Sequence, residues 1–432
     1  MIFNDPFHRR LAAVLGLSAL ACIVLAGLLM SSGPRIRASI FDGTKLTTLK
    51  GQRLILKANQ PLGKISDSRI ATVPKVPVQA VASGNAVAIT FKERLAYDTS
   101  YTVTIRPENL QPISYSFKTP QAAVYYMDRG SEGLANKIYS RTIEGKQTTV
   151  LNMDNINAFV AVDGALIVST RSADYTTELR RFDLQTKEIT PIKLPRVGTA
   201  THLQASPDRQ SFGYSLTSKA YNPAFNSTVY IHNAQGKEIG APTGFDKKKI
   251  QALDWRFGAD GSTIVAQTFS NDTIVTSAGS DAVPVILGQG GLGGLSYDGR
   301  KAILTDANGA FELDLSSNTE KRLALPSDKK DSYVIGVAPY NNGAGHLMHW
   351  QSSDNVRSIE HISGTYGGKT KLFYTAEKGE SIWAYRTSPN DKYLAVSTLK
   401  PSQDAPERIL RIFDVRTGKQ IARINADIIS WQ

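Results

Sequence analysis

Ser206-Pro207-Asp208-Arg209, followed at once by the strand-forming Ser211-Phe212-Gly213-Tyr214, is the stretch on which the fold turns. Pro and Asp preset a tight turn, Pro by its fixed φ and Asp by bonding its own backbone two residues on. The same turn returns as Val162-Asp163-Gly164, as Gly258-Ala259-Asp260-Gly261 before Thr263-Ile264-Val265-Ala266, as Ser296-Tyr297-Asp298-Gly299, and as Ser388-Pro389-Asn390-Asp391 before Lys392-Tyr393-Leu394-Ala395-Val396. Successive Asp residues from Asp163 to Asp298 lie 45, 52 and 38 apart, and the 93 residues from Asp298 to Asp391 hold two units, with Asn341-Asn342-Gly343 as the middle turn. A second turn falls later in each unit: Arg181-Phe182-Asp183-Leu184-Gln185-Thr186-Lys187, Tyr230-Ile231-His232-Asn233-Ala234-Gln235-Gly236-Lys237 and Ile412-Phe413-Asp414-Val415-Arg416-Thr417-Gly418-Lys419 show it. Two turn types at a fixed phase describe one repeated four-stranded unit.

Such periods predict an all-β chain whose residues 121–432 form a β-propeller of about seven blades. Its ends explain each other. Val124-Tyr125-Tyr126-Met127 reads as a second strand with no first, and Asp427-Ile428-Ile429-Ser430-Trp431 as a first strand with no blade. The C-terminal strand is therefore expected to complete blade one and remove an exposed edge. Over about 310 residues the set resembles the TolB-type and WD-like propellers of bacteria, although the Trp-Asp dipeptide and Gly-His of true WD repeats are missing.

Residues 34–120 read differently. Val87, Ile89 and Phe91 alternate with polar neighbours, as do Tyr101, Val103 and Ile105, and then Tyr115 and Phe117, which predicts half-buried antiparallel strands. Leu95-Ala96-Tyr97-Asp98-Thr99-Ser100-Tyr101 resembles the tyrosine corner of fibronectin type III and bacterial Ig-like domains, which implies an Ig-like β-sandwich with the Tyr hydroxyl on nearby backbone. The segment carries 13 Lys+Arg against 5 Asp+Glu, most of the chain's net +12, and so suits an anionic lipid surface or envelope polymer.

From Leu11 to Met30 there is no charge, about the length that spans a hydrocarbon core as a helix. Residues 1–33 are therefore expected to be a cytoplasmic tail and transmembrane signal-anchor. Cys22 after Ala19-Leu20-Ala21 loosely resembles a lipoprotein site, but the apolar run continues past it. Arg9 and Arg10 precede the segment as they do at the start of export, which places the chain in the cell membrane, single-pass, with the later domains extracytoplasmic.

A hydrophobic fraction of 41% with 20% charged residues excludes a chain disordered throughout. One cysteine excludes a disulfide framework, and His346 and His349 fall on opposite faces of a strand with no third ligand, so neither metal nor cofactor is expected. No nucleophile elbow, phosphate loop or dinucleotide fingerprint appears, and glycine-rich Gly288–Gly294 reads as a loop or bulge. Aromatics at core spacing speak against nucleic acid.

In a four-stranded meander the short turns quoted above share one end, and the long connections share the other. The long ones hold Arg129, Arg171, Tyr175, Tyr221, Phe225 and Trp350, residue types that anchor partners, and these are the candidate binding residues. The function expected is a membrane-tethered, noncatalytic binding or scaffolding protein engaging a protein or envelope polymer. The alternative is an exported propeller enzyme acting on glycan or peptide, which requires convergent carboxylates in the channel.

Overall fold

The computed structural model describes residues 6–31 and 33–432, apart from 109, 130–133, 221–225, 259–260, 280–282, 297–299, 327–331, 341–344, 355–356, 367, 403–405, 427–428 and 432. The turn residues 259–260, 297–299 and 341–343 used in the repeat thus lie outside the described set. Two compact units result, Met1–Pro120 and Gln121–Gln432.

A helix, α1, forms over Pro6–Ser31. Among the described residues, however, no helix is long and apolar enough to cross a membrane. Spanning takes about 20 apolar residues. The expected transmembrane signal-anchor and the single-pass membrane location are corrected accordingly.

Besides a short helix, Gly43–Thr48, and one 3-10 turn, Asp67–Arg69, the rest of the first unit has seven described strands: β1 (Ile36–Ile40), β2 (Arg53–Ala58), β3 (Ile70–Val73), β4 (Val78–Ser83), β5 (Ala86–Phe91), β6 (Ser100–Ile105) and β7 (Ile113–Lys118). They make two antiparallel sheets, β1-β2-β5-β4 and β3-β6-β7. Alternation delivers Leu54, Leu56, Val87, Ile89 and Phe91 from one sheet, and Tyr101, Val103, Ile105 and Phe117 from the other, to a single core. The Tyr101 hydroxyl accepts the Ala96 N–H at 3.0 Å.

In the second unit the described strands group into seven four-stranded antiparallel blades. Blade one is Ile429–Trp431, Ala123–Met127, Ala135–Thr142 and the first part of Gln147–Val162. The same 16-residue strand then serves as the first strand of blade two, which Ala165–Arg171, Thr177–Asp183 and Ile189–Ile192 complete. Blades three to seven begin at Gly198, Ala252, Gly291, Tyr333 and Ser381. The C-terminal strand pairs antiparallel with Ala123–Met127, Ile429 opposite Tyr126 and Trp431 opposite Val124. Trp431 also stacks on Tyr393 of blade seven, 6.1 Å between ring centres.

Local chemistry builds the short-turn end. At Ser206 and Ser388 the backbone N–H donates to Ser211 and Tyr393 carbonyls, while the hydroxyls accept from the same residues' N–H groups at 2.9 and 3.0 Å. Asp183, Asp314 and Asp414 accept N–H groups two or three residues on, holding the later turn. One bond then repeats from blade to blade, tying the later turn to the earlier: Leu184 to Gly164, Ala234 to Gln210, Ala278 to Ser262, Leu315 to Arg300 and Val415 to Lys392, at 2.8–3.1 Å.

Between blades lie the hydrophobic clusters, for example Val160, Ala165 and Ile167 of blade two against Phe212, Tyr214 and Leu216 of blade three. Of the loop or bulge expected at Gly288–Gly294 the structure has bulges: the stretch runs from strand Val285–Gln289 into Gly291–Leu295, with register shifts beside Gly288 and at Gly293. A β-carbon on Gly293 would lie 2.6 Å from the Val337 carbonyl oxygen, so glycine there lets blade five close on blade six.

Candidate functional site

The first strand of every blade from two to seven carries a β-bulge at a matching level: at Asn157, His202–Leu203, Leu253, Gly293, Ile335 and Trp383. A bulge adds a residue on one strand and re-aims its side chain. Three of these residues are large, apolar and exposed, Leu253 at 45%, Ile335 at 42% and Trp383 at 46%, although each sits on the innermost strand of its blade. His202 holds φ +50°, a left-handed conformation that is uncommon for a residue with a β-carbon.

Beside the bulges is a cavity of about 270 Å³ lined by Phe159 of blade two, His202 and Leu203 of blade three, and Trp383, Tyr385, Arg386 and Ser397 of blade seven, with alanines and a valine between them. Residues from blades two, three and seven meet only across the ring's centre, so the cavity opens in the channel. No carboxylate is among its described lining residues.

Its electrostatics are one-sided. Arg256 of blade four, paired with Asp254, lies close enough for its charge to act on Tyr385 and Arg386. Arg386 has no hydrogen-bond or ion-pair partner among the described residues. It is open to water by area yet walled in by protein, the combination a water-filled channel produces. That enclosure, and secondarily the like charge of Arg256, holds its guanidinium below the ordinary range. Burial pushes the Tyr385 hydroxyl up, with Arg256 opposing.

The sequence-derived candidates divide. Arg129 and Arg171 meet at the bulge residue Asn157, Arg129 donating to its carbonyl oxygen and Arg171 to its Oδ1 at 3.3 Å. Both are thus engaged in holding the channel rim next to Ala158. Tyr175 stands 72% exposed at the tip of its loop, which Asp174 pins by accepting from Ser172, Thr176 and Lys219. Trp350 is not in a loop: it lies within strand Gly345–Asp354, buried, its Nε1 donating to Ser363 Oγ at 3.0 Å and its ring stacked on His361. Tyr221 and Phe225 fall outside the described residues.

Sequence reasoning missed Asn157, His202, Trp383 and Arg386. A signal existed: counting back five to eight residues from each turn Asp reaches Asn157, His202, Leu253, Gly293 and Trp383. It missed as well a buried polar network between blades six and seven. There the fully buried Glu380 carboxylate accepts from Arg411 at 2.7 Å, Thr398 at 2.5 Å, the Glu377 N–H at 2.9 Å and the Tyr374 hydroxyl. His349 and Glu360 pair nearby at 2.9 Å, and Glu360 also accepts the Ile382 N–H at 2.7 Å. Among the described residues no group of three or more His, Cys, Asp or Glu side chains could hold a metal ion.

No protein family matches the chain, and no curated protein matches it in sequence. Solved structures similar to it are β-propellers. The propeller domain of Cps50 (Swd1) from Myceliophteria thermophila has 11% identity and a TM-score of 0.43, with 63% of this chain and 87% of that one covered. A putative 6-phosphogluconolactonase from Bacteroides uniformis has 13% and 0.48, covering 72% and 99%. A putative TolB from Agrobacterium tumefaciens has 13% and 0.35, covering 71% and 89%. At this identity the likeness concerns the fold, and activity is argued from the site.

Proposed function

We propose that the chain is a noncatalytic binding or scaffolding module that engages a protein ligand at its propeller channel. The observation that carries this is the channel cavity: Trp383, Tyr385 and Arg386, the residue types that dominate binding energetics, converge there with small apolar neighbours and without a carboxylate. Hydrolysis of glycan needs two carboxylates about 5–9.5 Å apart, and the described lining holds none. Exposed Tyr175 extends the same reading outward onto the loops.

The first unit reads as an Ig-like module. Its sheet orders match the four-plus-three arrangement of that fold, and the Tyr101 hydroxyl takes upstream backbone as a tyrosine corner does. The test of the whole proposal is affinity capture by the full chain, followed by calorimetry with each captured protein purified, comparing wild type with Trp383→Ala. Binding lost in the variant supports the channel as the site. Binding that Trp383→Ala leaves intact moves the site elsewhere, and turnover of a glycan or peptide by the purified chain replaces the proposal with the enzyme.

A further inference from the structure

Several arginines on the propeller's strands have a counter-charge within the chain: Arg181 has Asp183 at 3.1 Å, Arg322 has Asp306 at 2.7 Å, Arg411 has Glu380 at 2.7 Å, and Arg256 has Asp254. Arg386, on the innermost strand and lining the channel cavity, has none among the described residues. Its guanidinium is exposed to the channel beside Trp383, uncompensated and open to a ligand. The neighbouring Arg256 deepens the deficit, because Asp254 compensates one of the two charges and leaves the other.

We propose that the cavity takes one carboxylate carried on an apolar body, the charge on Arg386 and the body against the exposed ring of Trp383. This rests on the binding function proposed above. The geometry sets the class. One uncompensated guanidinium offers a planar fork that matches one carboxylate, whereas a phosphate dianion calls for further positive charge. About 270 Å³ lies just under the range of drug-sized ligand sites, and so admits a side-chain-sized group. Phe159, Leu203 and Trp383 provide the apolar wall, and the bulge at Trp383 is what turns that ring out of the blade. An acidic or C-terminal aromatic residue of a protein ligand has this chemistry.

Two probes of one shape test it: 4-phenylbutyrate and the neutral 4-phenylbutan-1-ol, titrated calorimetrically into the full chain. The acid is expected to bind wild type at least tenfold more tightly than the alcohol. Arg386→Met should abolish that preference and leave both probes at the alcohol's affinity, while Arg386→Lys, which keeps the charge without the fork, should retain part of it. Trp383→Ala should weaken both probes alike. Melting temperatures of the variants show that each is folded. Equal binding of acid and alcohol to wild type overturns the carboxylate assignment and leaves the channel as an apolar binding site. A preference surviving in Arg386→Met overturns Arg386 as its source. Binding of neither probe to wild type overturns the carboxylate subsite, whereas the channel's role in protein binding is judged separately by the Trp383→Ala capture.

Discussion

Replacing Arg411 by methionine isolates the buried network between blades six and seven. The Arg411 and Glu380 side chains are 3% and 0% exposed, so the change keeps most of the arginine's bulk but strands a carboxylate away from water. Burial alone raises that carboxyl, and the donors outweigh it: Thr398, Tyr374, the Glu377 N–H and Arg411 together hold it below its ordinary value. Removing one member of such a pair costs about 3–5 kcal/mol, because the other charge is left uncompensated. With an unfolding entropy of about 2.1 cal/mol/K per residue, the 312 residues from Gln121 to Gln432 give about 0.65 kcal/mol/K, so the melting temperature should fall by about 5–8 °C. Glu380→Gln combined with Arg411→Met removes the stranded charge, and should recover about 1–3 kcal/mol of the loss through their coupling. Thermal melts followed by circular dichroism at pH 7 read all three proteins. The reasoning fails if Arg411→Met melts within about 1 °C of wild type, or if the double variant is no more stable than the single one.

Other outcomes follow from the same physics. A β-carbon on Gly213 would come 2.7 Å from the Trp255 ring and 2.8 Å from the Tyr230 carbonyl oxygen, so Gly213→Ala should cost about 1–3 kcal/mol by overpacking; an unchanged denaturant midpoint would count against that packing. Trp431→Ala removes the ring that closes blade one onto Tyr393 and should cost about 3–5 kcal/mol, and a melting curve like the wild type's would refute the closure. His232, His346 and His349 all have pKa values lowered chiefly by burial. The unfolded chain therefore binds more protons, and stability should be full above the ordinary histidine pKa near 6.5 and decline as pH falls below it towards the folded values. His232→Gln should shrink that decline, and melting temperatures that stay level from pH 7 to pH 5 would contradict it.

What was legible in the sequence is what is made locally. The Ser206 and Ser388 turns and the Asp183, Asp314 and Asp414 turns are held by bonds within five residues, so their chemistry shows in the sequence and their spacing exposes the repeat. The channel is made the opposite way. Phe159, His202 and Arg386 become neighbours only when the ring closes, and no local pattern marks them except their phase within each unit. Trp350 was misplaced because Gln351, Ser352 and Ser353 look like loop, yet the two strands there run on through them, with Ser352 buried and its hydroxyl bonded to His361. The apolar run after Arg10 set an expectation from composition alone, and among the described residues no helix is long and apolar enough to cross a membrane.

The seam between Ala123–Met127 and Ile429–Trp431 has a mechanical consequence. Val124 lies opposite Trp431 and Tyr126 opposite Ile429, so the outward-leading ends of the two strands, towards Gln121 and Gln432, are at the same side of the pair. Tension applied through those ends loads the rungs one at a time, from Val124–Trp431 inward. A seam loaded in this way peels open like a zipper at low force, where strands pulled from opposite sides would share the load in shear. A pull on these two ends is thus expected to open the propeller at this seam first.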